Sequence, residues 1–354
     1  MSDKHPFLSV TNISAAYDQQ EVVSDVSFSL KEGELACLLG PSGCGKTTIL
    51  RAISGFQNLT SGSIKLGDSL LCDTDHVLAP EHRNVGMVFQ DHALFPHLNI
   101  TENVGFGLKA KKLNKVDQKA RISDLLELVG MADHKDKYPH ELSGGQSQRV
   151  ALARAIAPQP KLLLMDEPFS NLDTELREAL GYEVRDLLKK LNITAIMVTH
   201  DQHDAFALGD QIGVMSGGKL MQWDSSFNLY HAPANRFVAN FIGDGVFIKG
   251  HMAKSNAVTT PLGEIQGQTV NEQFIGQDID LLLRPDDVQC DPNSTINGQI
   301  IRKAFKGAQT LYTIKSQNGT TLMSLVPSHD NYDIGDTIGF SIDADHLVCF
   351  ARKA

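Results

Sequence analysis

The sequence has 354 residues, of which 42% are apolar and 21% are charged, and its 42 acidic side chains outnumber 32 Lys and Arg to give a formal net charge of −10. This length predicts two or three domains that each bury a core, and it excludes a single small stapled module. Acidic side chains are in excess both before and after residue 240, which argues against a protein that grips nucleic acid over a broad basic face.

The cysteines and the apolar runs bear on the compartment. Five cysteines lie scattered along the chain without a CxxC pair, so we expect neither a disulfide framework nor a structural zinc site, and a reducing compartment fits best. The first residues lack a basic segment followed by an apolar core, and nowhere do about 18 apolar residues follow one another. We therefore expect neither export nor a membrane span, so that any membrane role comes through partners.

The first part of the chain predicts a strand, a glycine loop and a helix in succession. Segments rich in β-formers at 7–10 and 22–30 precede residues 34–39, an apolar run that ends at glycines and is typical of a buried strand. From 46 to 55 apolar residues recur at helical spacing and a glycine closes the segment. The polar, turn-rich stretch at 59–83 predicts an inserted antiparallel lobe.

The rest of the chain divides into an α/β part and a β part. Helices predicted at 114–129, 143–157 and 175–191 alternate with apolar strands at 162–165 and 194–199, which indicates a mostly parallel sheet covered on both faces. Beyond about Phe241 short alternating runs are separated by turns, with Asn318-Gly319 as a hairpin signal. We predict an α/β domain at 1–240 and a small all-β domain of barrel type at 241–354.

Residues 40–48 read GPSGCGKTT, an instance of GxxxxGK[ST] between the predicted strand and helix. Backbone N–H groups of such a loop turn toward one phosphate, and the helix N-terminus adds roughly half a positive charge. Lys46 is placed to bridge the β- and γ-phosphates, Thr47 to offer its hydroxyl to Mg²⁺, and Thr48 to lie nearest the α-phosphate. The motif predicts a nucleotide site formed by Gly40, Pro41, Ser42, Gly43, Cys44, Gly45, Lys46, Thr47 and Thr48, with Cys44 as a packing residue.

A phosphate loop alone leaves the class open, since GTPases, kinases, helicases and transport ATPases all use one. Residues 114–117 read NKVD and match the guanine-binding NKxD of GTPases. Because they open an amphipathic helix and do not follow a buried strand, we interpret the match as coincidence.

Residues 142–149 read LSGGQSQR and decide the class. With the phosphate loop upstream and LLLMDE at 162–167 downstream, they resemble the ATP-binding-cassette ATPases over residues 1 to about 240. Ser143 and the N–H groups of Gly144 and Gly145 open a helix and so offer a second anion site, whereas a bare helix cap is the alternative. The resemblance implies that this site, with Gln146, completes the γ-phosphate pocket of a second copy, so that two chains sandwich two ATP molecules.

Further site residues follow from the strand exit and from the resemblance. Asp166 is predicted to hold Mg²⁺ and Glu167 to polarise the attacking water, and these separate tasks require the strand to end there. The resemblance implies that Gln90 contacts Mg²⁺ and the water, that His200 contacts the γ-phosphate, and that Asp173 lies in the loop crossing the dimer interface. The predicted catalytic set is Glu167, His200, Gln90 and Lys46, and the predicted Mg²⁺ ligands are Thr47, Gln90 and Asp166.

Two aromatic or histidine features need weighing against ordinary structure. Tyr17 precedes Lys46 at a distance suited to stacking on adenine, and a core tyrosine is the alternative. The pairs His200/His203 and His134/His140 lack HExxH spacing, so we expect no histidine metal site.

The resemblance also implies partners and a location. With no span of its own, the chain would act at the cytoplasmic face of the inner membrane as a peripheral subunit, on separate permease subunits and, indirectly, with a periplasmic solute-binding protein. Residues 91–99, rich in Phe, Pro and His, are the expected groove for a permease helix. The β tail resembles the OB-like, TOBE-like regulatory domain of importer ATPases. An oligonucleotide-binding barrel is disfavoured by its net negative charge, and a dimerisation prop stays open.

The cargo is indicated only by family likeness, because an ATP-binding cassette does not contact the solute. The loop before Gln90, the FPH run, FIGDGV at 241–246 and RPDDV at 284–288 look most like the ferric-iron import ATPases. Polyamine, sulfate or thiamine import would need no different catalytic residue. A different class, soluble cassette proteins acting on DNA or ribosomes, usually carries two cassettes or a long coiled coil, and the sequence predicts neither.

Overall fold

The computed structural model of the chain describes residues 6–110, 113–170, 172–269 and 272–352. The chain forms two compact units, Met1–Ser226 and Phe227–Ala354. The second unit begins at Phe227, earlier than the boundary near residue 240 that the sequence predicted. Two short helices precede the β strands of this unit, and Arg236 in the second helix pairs with Asp280 in the strands that follow. Within the described residues, no helix has both the length and the apolar character needed to cross a membrane.

The first unit alternates strands and helices. Its strands are β1 (Leu8–Tyr17), β2 (Gln20–Leu30), β3 (Leu35–Leu39), β4 (Ser61–Leu66), β5 (Ser69–Cys72), β6 (Val85–Val88), β7 (Leu162–Asp166), β8 (Thr194–Thr199), β9 (Gln211–Ser216) and β10 (Lys219–Asp224). Its helices are α1 (Lys46–Ser54), α2 (Ile100–Gly105), α3 (Lys115–Leu128), α4 (Gly144–Ile156), α5 (Thr174–Lys190) and α6 (Gln202–Leu208).

A six-stranded sheet in the order β10-β9-β3-β8-β7-β6 forms the centre of this unit. The strands from β9 to β6 run parallel, and β10 pairs antiparallel with β9. Every residue of β3 and β8 is buried, because uninterrupted apolar runs suit strands covered on both faces. The α/β prediction is confirmed, and the parallel arrangement brings the carboxyl ends of β3, β7 and β8 to one edge of the sheet.

The antiparallel lobe is a four-stranded sheet in the order β2-β1-β4-β5. The sequence predicted this lobe as an insertion at 59–83, and that was incomplete, since β1 and β2 at the start of the chain supply half of it. Local patterning does not show which strands pair across a long separation. One core joins the lobe to the main sheet, with Leu8 and Ile13 of β1 in the same cluster as Leu38 of β3 and Ile49 of α1.

Helices α2, α3 and α4 form the segment between β6 and β7. Helix α3 begins one residue after the predicted start, because the Asn114 side chain accepts hydrogen bonds from the backbone N–H groups of Val116 and Asp117. The NKVD run is thus a helix cap. Gly130, with φ +67°, ends this helix region as its left-handed conformation requires.

The second unit is predominantly β. Two sheets, in the orders β13-β12-β11-β15-β21-β14 and β16-β20-β17-β18-β19, share one apolar core that includes Ile248, Leu281, Tyr312 and Phe340. The predicted hairpin joins β18 to β19, with Gly319 at φ +85°. The helices and strands of the second unit are α7 (Ser226–His231), α8 (Arg236–Ile242), β11 (Val246–Lys254), β12 (Ala257–Thr260), β13 (Gly263–Gln266), β14 (Gln268–Thr269), β15 (Asp278–Leu283), β16 (Val288–Cys290), β17 (Asn297–Phe305), β18 (Gln309–Ser316), β19 (Thr321–Pro327), β20 (Thr337–Ile342) and β21 (His346–Ala351).

Candidate active site

The loop from Gly40 to Gly45 connects β3 directly to α1 and has the shape of an anion cradle. Gly43 and Gly45 adopt left-handed φ angles of +78° and +101°. A Cβ on Gly45 would approach the Val22 carbonyl oxygen to 2.9 Å, and one on Gly40 would approach the Met215 carbonyl oxygen to 2.4 Å. Among the described residues no side chain caps the N-terminus of α1, so its first N–H groups can bind a phosphate.

Lys46 lies inside this cradle with its side chain folded back on the loop. Its Nζ donates to the carbonyl oxygens of Gly40 (2.7 Å) and Pro41 (3.1 Å), and the residue is only 5% exposed. The neighbouring Cys44 is buried, and burial raises the pKa of its thiol against the opposing charge of Lys46. The thiol is therefore protonated at neutral pH, in keeping with a packing role.

Thr47 and Asp166 place a hydroxyl and a carboxylate side by side. The Thr47 Oγ1 donates to Asp166 Oδ1 over 3.0 Å, which joins the first turn of α1 to the last residue of β7. Burial raises the pKa of Asp166, against the lowering effect of the Thr47 hydrogen bond. A cation at this point would offset the cost of burying the carboxylate.

These oxygen donors fit Mg²⁺ that arrives with a nucleotide. Mg²⁺ takes one or two protein oxygens and completes its shell with phosphates and water. In the part of the chain that the structure describes, no three His, Cys, Asp or Glu side chains lie close enough together to hold a metal by themselves. The pair therefore suits a shared ion and not an all-protein cage.

Three predicted catalytic side chains meet at one carboxylate oxygen. Glu167 Oε2 lies 3.4 Å from Gln90 Nε2 and 3.3 Å from His200 Nδ1. Glu167 leaves β7 with a left-handed φ of +44°, and its N–H donates to the Val198 carbonyl oxygen. The turn gives Asp166 and Glu167 different environments, as their separate tasks require. Gln90, Glu167 and His200 follow β6, β7 and β8, whose carboxyl ends are neighbours in the sheet.

The LSGGQ run at 142–146, here called the signature, forms a helix tip at the start of α4, the signature helix. Ser143 caps α4 in a reciprocal arrangement, since its hydroxyl accepts from Gln146 N–H and its own N–H donates to Gln146 Oε1. Ser143 and Gly144 are exposed, whereas Gly145 packs on Leu176. None of the hydrogen bonds described for this tip reaches the phosphate loop of the same chain. The tip is open to another surface.

Tyr17 and Asp173 also face solvent. Tyr17 ends β1 and is 39% exposed, so it is not a core tyrosine. Asp173 is exposed and caps α5 by accepting from Leu176 N–H over 3.0 Å. Both positions suit contact with a ligand or a partner.

Sequence reasoning missed Arg154, which anchors the segment after Gln90. Arg154 lies on α4 and donates to the carbonyl oxygens of His92 (2.8 Å) and Ala93 (2.6 Å), and its guanidinium lies 5.4 Å from the Phe95 ring centre. His92 and Ala93 have φ angles of +61° and +44°. This contact links the signature helix to the expected permease groove, and no local pattern marks a pairing over such a separation.

A glycine cradle between a strand and a helix, with carboxylates at the neighbouring strand exit, is the geometry of a nucleotide-binding P-loop fold, and comparison with known proteins agrees. Residues 23–170 match the family described as ABC transporter, and residues 281–350 match the TOBE domain. Close relatives align along nearly the whole chain. The protein belongs to the ABC transporter ATP-binding family, which confirms the resemblance carried by the phosphate loop and LSGGQ.

Two curated relatives illustrate the similarity. The Fe(3+) ions import ATP-binding protein of Haemophilus influenzae is 38% identical over 340 residues, covering 94% of this chain and 96% of that protein. The spermidine/putrescine import ATP-binding protein of Marinobacter nauticus is 38% identical over 330 residues, covering 91% of this chain and 87% of that protein. The relatives therefore divide between two cargoes.

A solved structure is similar to part of the chain. The ATP-binding cassette MJ0796, described as a dimer in a post-hydrolysis state bound to ADP and Pi, is 28% identical with a TM-score of 0.55. The match covers 62% of this chain and 98% of that one. It confirms the P-loop cassette fold.

Proposed function

We propose that this chain is the subunit whose ATP hydrolysis drives import of a solute through a separate membrane permease. The meeting of Gln90 and His200 at Glu167 Oε2 carries the hydrolytic part of the proposal. The direction of transport is taken from the relatives, which are named import ATP-binding proteins in both cargo groups.

In the proposed mechanism each residue has a defined task. The N–H groups of the glycine loop and Lys46 bind the phosphates, and Glu167 accepts a proton from the attacking water while Gln90 and His200 orient it. Thr47, Asp166 and Gln90 would hold Mg²⁺, which when bound neutralises charge on the phosphates. Tyr17 stacks on the adenine.

A second copy completes the site. The helix tip, exposed at Ser143 and Gly144, would offer N–H groups and a helix dipole to the γ-phosphate held by the partner chain. Asp173 is also exposed, and the two chains would meet there. A dimeric relative supports this arrangement. The transport cycle is then closure on ATP binding and release after hydrolysis.

The permease contact is proposed at residues 91–99. The chain would be held there as a peripheral subunit at the cytoplasmic face of the inner membrane, and a periplasmic solute-binding protein would deliver the solute to the permease. The test is purification of the tagged chain from solubilised membranes with ATP present, followed by identification of the proteins that come with it. We expect an integral membrane permease. Recovery free of membrane proteins, with ATPase activity stimulated by DNA or ribosomes, would contradict transport.

We propose ferric iron as the cargo and polyamines as the second candidate, since relatives of both kinds match equally well. The resemblance at FIGDGV and RPDDV supports iron, and Arg284 joins these two runs by donating to the Gly243 and Asp244 carbonyl oxygens. Cells lacking the gene should lose accumulation of radiolabelled iron and keep that of putrescine and spermidine. The opposite loss would assign polyamines.

The β unit is proposed to be regulatory. Its match to the TOBE domain supports this role. A chain truncated before β11 that hydrolyses ATP but no longer responds to intracellular cargo would agree with regulation, whereas loss of self-association alone would indicate a dimerisation prop.

A further inference from the structure

An ion pair joins α5, the helix that Asp173 caps, to the loop that carries His200. Arg177, one turn into α5, donates from Nη1 to Asp201 Oδ2 over 2.7 Å. The two side chains are 18% and 26% exposed, so the pair is largely shielded from solvent. A shielded pair of this kind holds its geometry better than an exposed one.

Both partners are tied to residues of the proposed site. The Arg177 N–H donates to the Asp173 carbonyl oxygen over 2.9 Å, so the arginine belongs to the turn that Asp173 caps. Asp201 directly follows His200, and its N–H donates to Thr199 Oγ1. A continuous set of contacts therefore runs from Asp173 through the ion pair to His200, and on to Glu167.

Both carboxylate oxygens of Asp201 accept hydrogen bonds, which fixes the position of the side chain. Its Oδ1 accepts from His203 N–H at the start of α6, while Oδ2 takes the guanidinium. The Arg177 Nε is buried and, in the described part of the chain, has no hydrogen-bond partner. Removing the Asp201 charge would leave a poorly compensated cation. The backbone at 200–201 is thus held from two directions.

We propose that Arg177 and Asp201 are positioning residues that fix His200 relative to the interface loop at Asp173. The inference rests on the proposed roles of His200 and Asp173 and adds a coupling between them. The contacts from Asp173 through the ion pair hold the backbone of His200 in a fixed position relative to the loop that would meet a second copy. Loss of the pair should therefore slow hydrolysis without weakening ATP binding.

The test compares R177M, D201N, their double variant and R177K in the purified full chain. Asn keeps the acceptor that caps α6, so D201N removes the charge and keeps the cap. The matched control is R185M. Arg185 lies about two turns further along α5 and pairs with Asp210 over 2.8 Å at similar exposure. Asp210 precedes β9 and is not adjacent to His200 in the chain.

Hydrolysis at saturating ATP and ATP affinity are measured separately. We expect R177M and D201N each to lower kcat about tenfold with Kd for ATP within about twofold, and the double variant to be no slower than either. R177K should recover part of the rate. R185M should keep kcat within about twofold, and Asp210 keeps its ion pair with Lys189 in that variant.

Three results would contradict the proposed positioning role of Arg177 and Asp201. These are wild-type kcat in R177M, effects that multiply in the double variant, or an equal loss in R185M. The reference variant H200A separates this failure from failure of the proposed function. If H200A hydrolyses at the wild-type rate, the proposed site itself is wrong, whereas loss in H200A with none in R177M removes only the coupling.

Discussion

Asp166 and Glu167 are adjacent in sequence, yet the backbone gives them different chemistry. Asp166 ends β7 with a carboxyl whose pKa is raised by burial, and Glu167 turns away with φ +44°. A left-handed conformation at a non-glycine residue costs roughly 1 to 2 kcal/mol. Such strain persists where the surrounding structure fixes it, and it is common at functional sites. The turn is what brings Glu167 to Gln90 and His200.

Glu167→Gln tests the base directly. The amide keeps the size of the side chain but accepts no proton, so we expect ATP binding to persist and kcat to fall by roughly 10² to 10⁴. Steady-state phosphate release and equilibrium ATP binding measure the two effects. Full turnover in this variant would remove Glu167 from the mechanism.

Asp287 in the β unit predicts a pH-dependent stability. Burial raises the pKa of Asp287 to about 6, although the Arg284 N–H hydrogen bond lowers it. Because the folded pKa exceeds the ordinary value near 3.9, the group destabilises the fold as pH rises from about 4 and reaches its full cost, of the order of 2 to 3 kcal/mol, above about 6.

We therefore expect Asp287→Asn to raise the thermal midpoint at pH 7.5 by a few degrees and to lose this advantage toward pH 4. Thermal unfolding followed across that range measures it. Asp343→Asn, which removes an exposed carboxylate from the same unit, serves as the control. A gain that is constant with pH would show that the Asp287 charge is not the cause.

At the scale of the elements, the strand, loop and helix around the phosphate loop were predictable because their signals are local. The run from Leu35 to Leu39, the glycines and the helical spacing after Lys46 each act within a few residues. The lobe was predicted only in part, since pairing of β1 with β4 depends on contacts across a long separation. Arg154 escaped prediction for the same reason.

Two glycines of the loop should respond differently to alanine. Gly43 and Gly45 both have left-handed φ, so each Gly→Ala change costs roughly 1 to 2 kcal/mol of backbone strain. Among the described residues no atom lies within 4 Å of a Cβ on Gly43, whereas a Cβ on Gly45 also meets the Val22 carbonyl oxygen at 2.9 Å. We expect Gly45→Ala to lower the stability clearly more than Gly43→Ala, as measured by urea unfolding. Equal losses would mean that the loop relaxes around the added methyl group.

At the scale of the whole molecule, motif spacing predicted which residues act but not how they meet. Gln90, Glu167 and His200 lie far apart in sequence, and the order of β6, β7 and β8 in the sheet brings them together. The signature tip is a different case. Ser143 and Gly144 are exposed, and the tip contributes no described hydrogen bond to the phosphate loop, so a site that needs both surfaces is incomplete in one chain.

Ser143→Arg in the Glu167→Gln background tests whether two copies close on ATP. Slowed hydrolysis should let the parent variant accumulate as a dimer with Mg²⁺ and ATP, while the bulky arginine at an exposed position blocks closure and leaves ATP binding in each monomer intact. Sedimentation velocity with and without ATP measures the association. Ser143→Thr is the control, because it keeps the hydroxyl cap and should still dimerise. An ATP-dependent dimer that survives Ser143→Arg would place the second anion site elsewhere, because an arginine side chain at the tip leaves no room for the γ-phosphate of a facing chain.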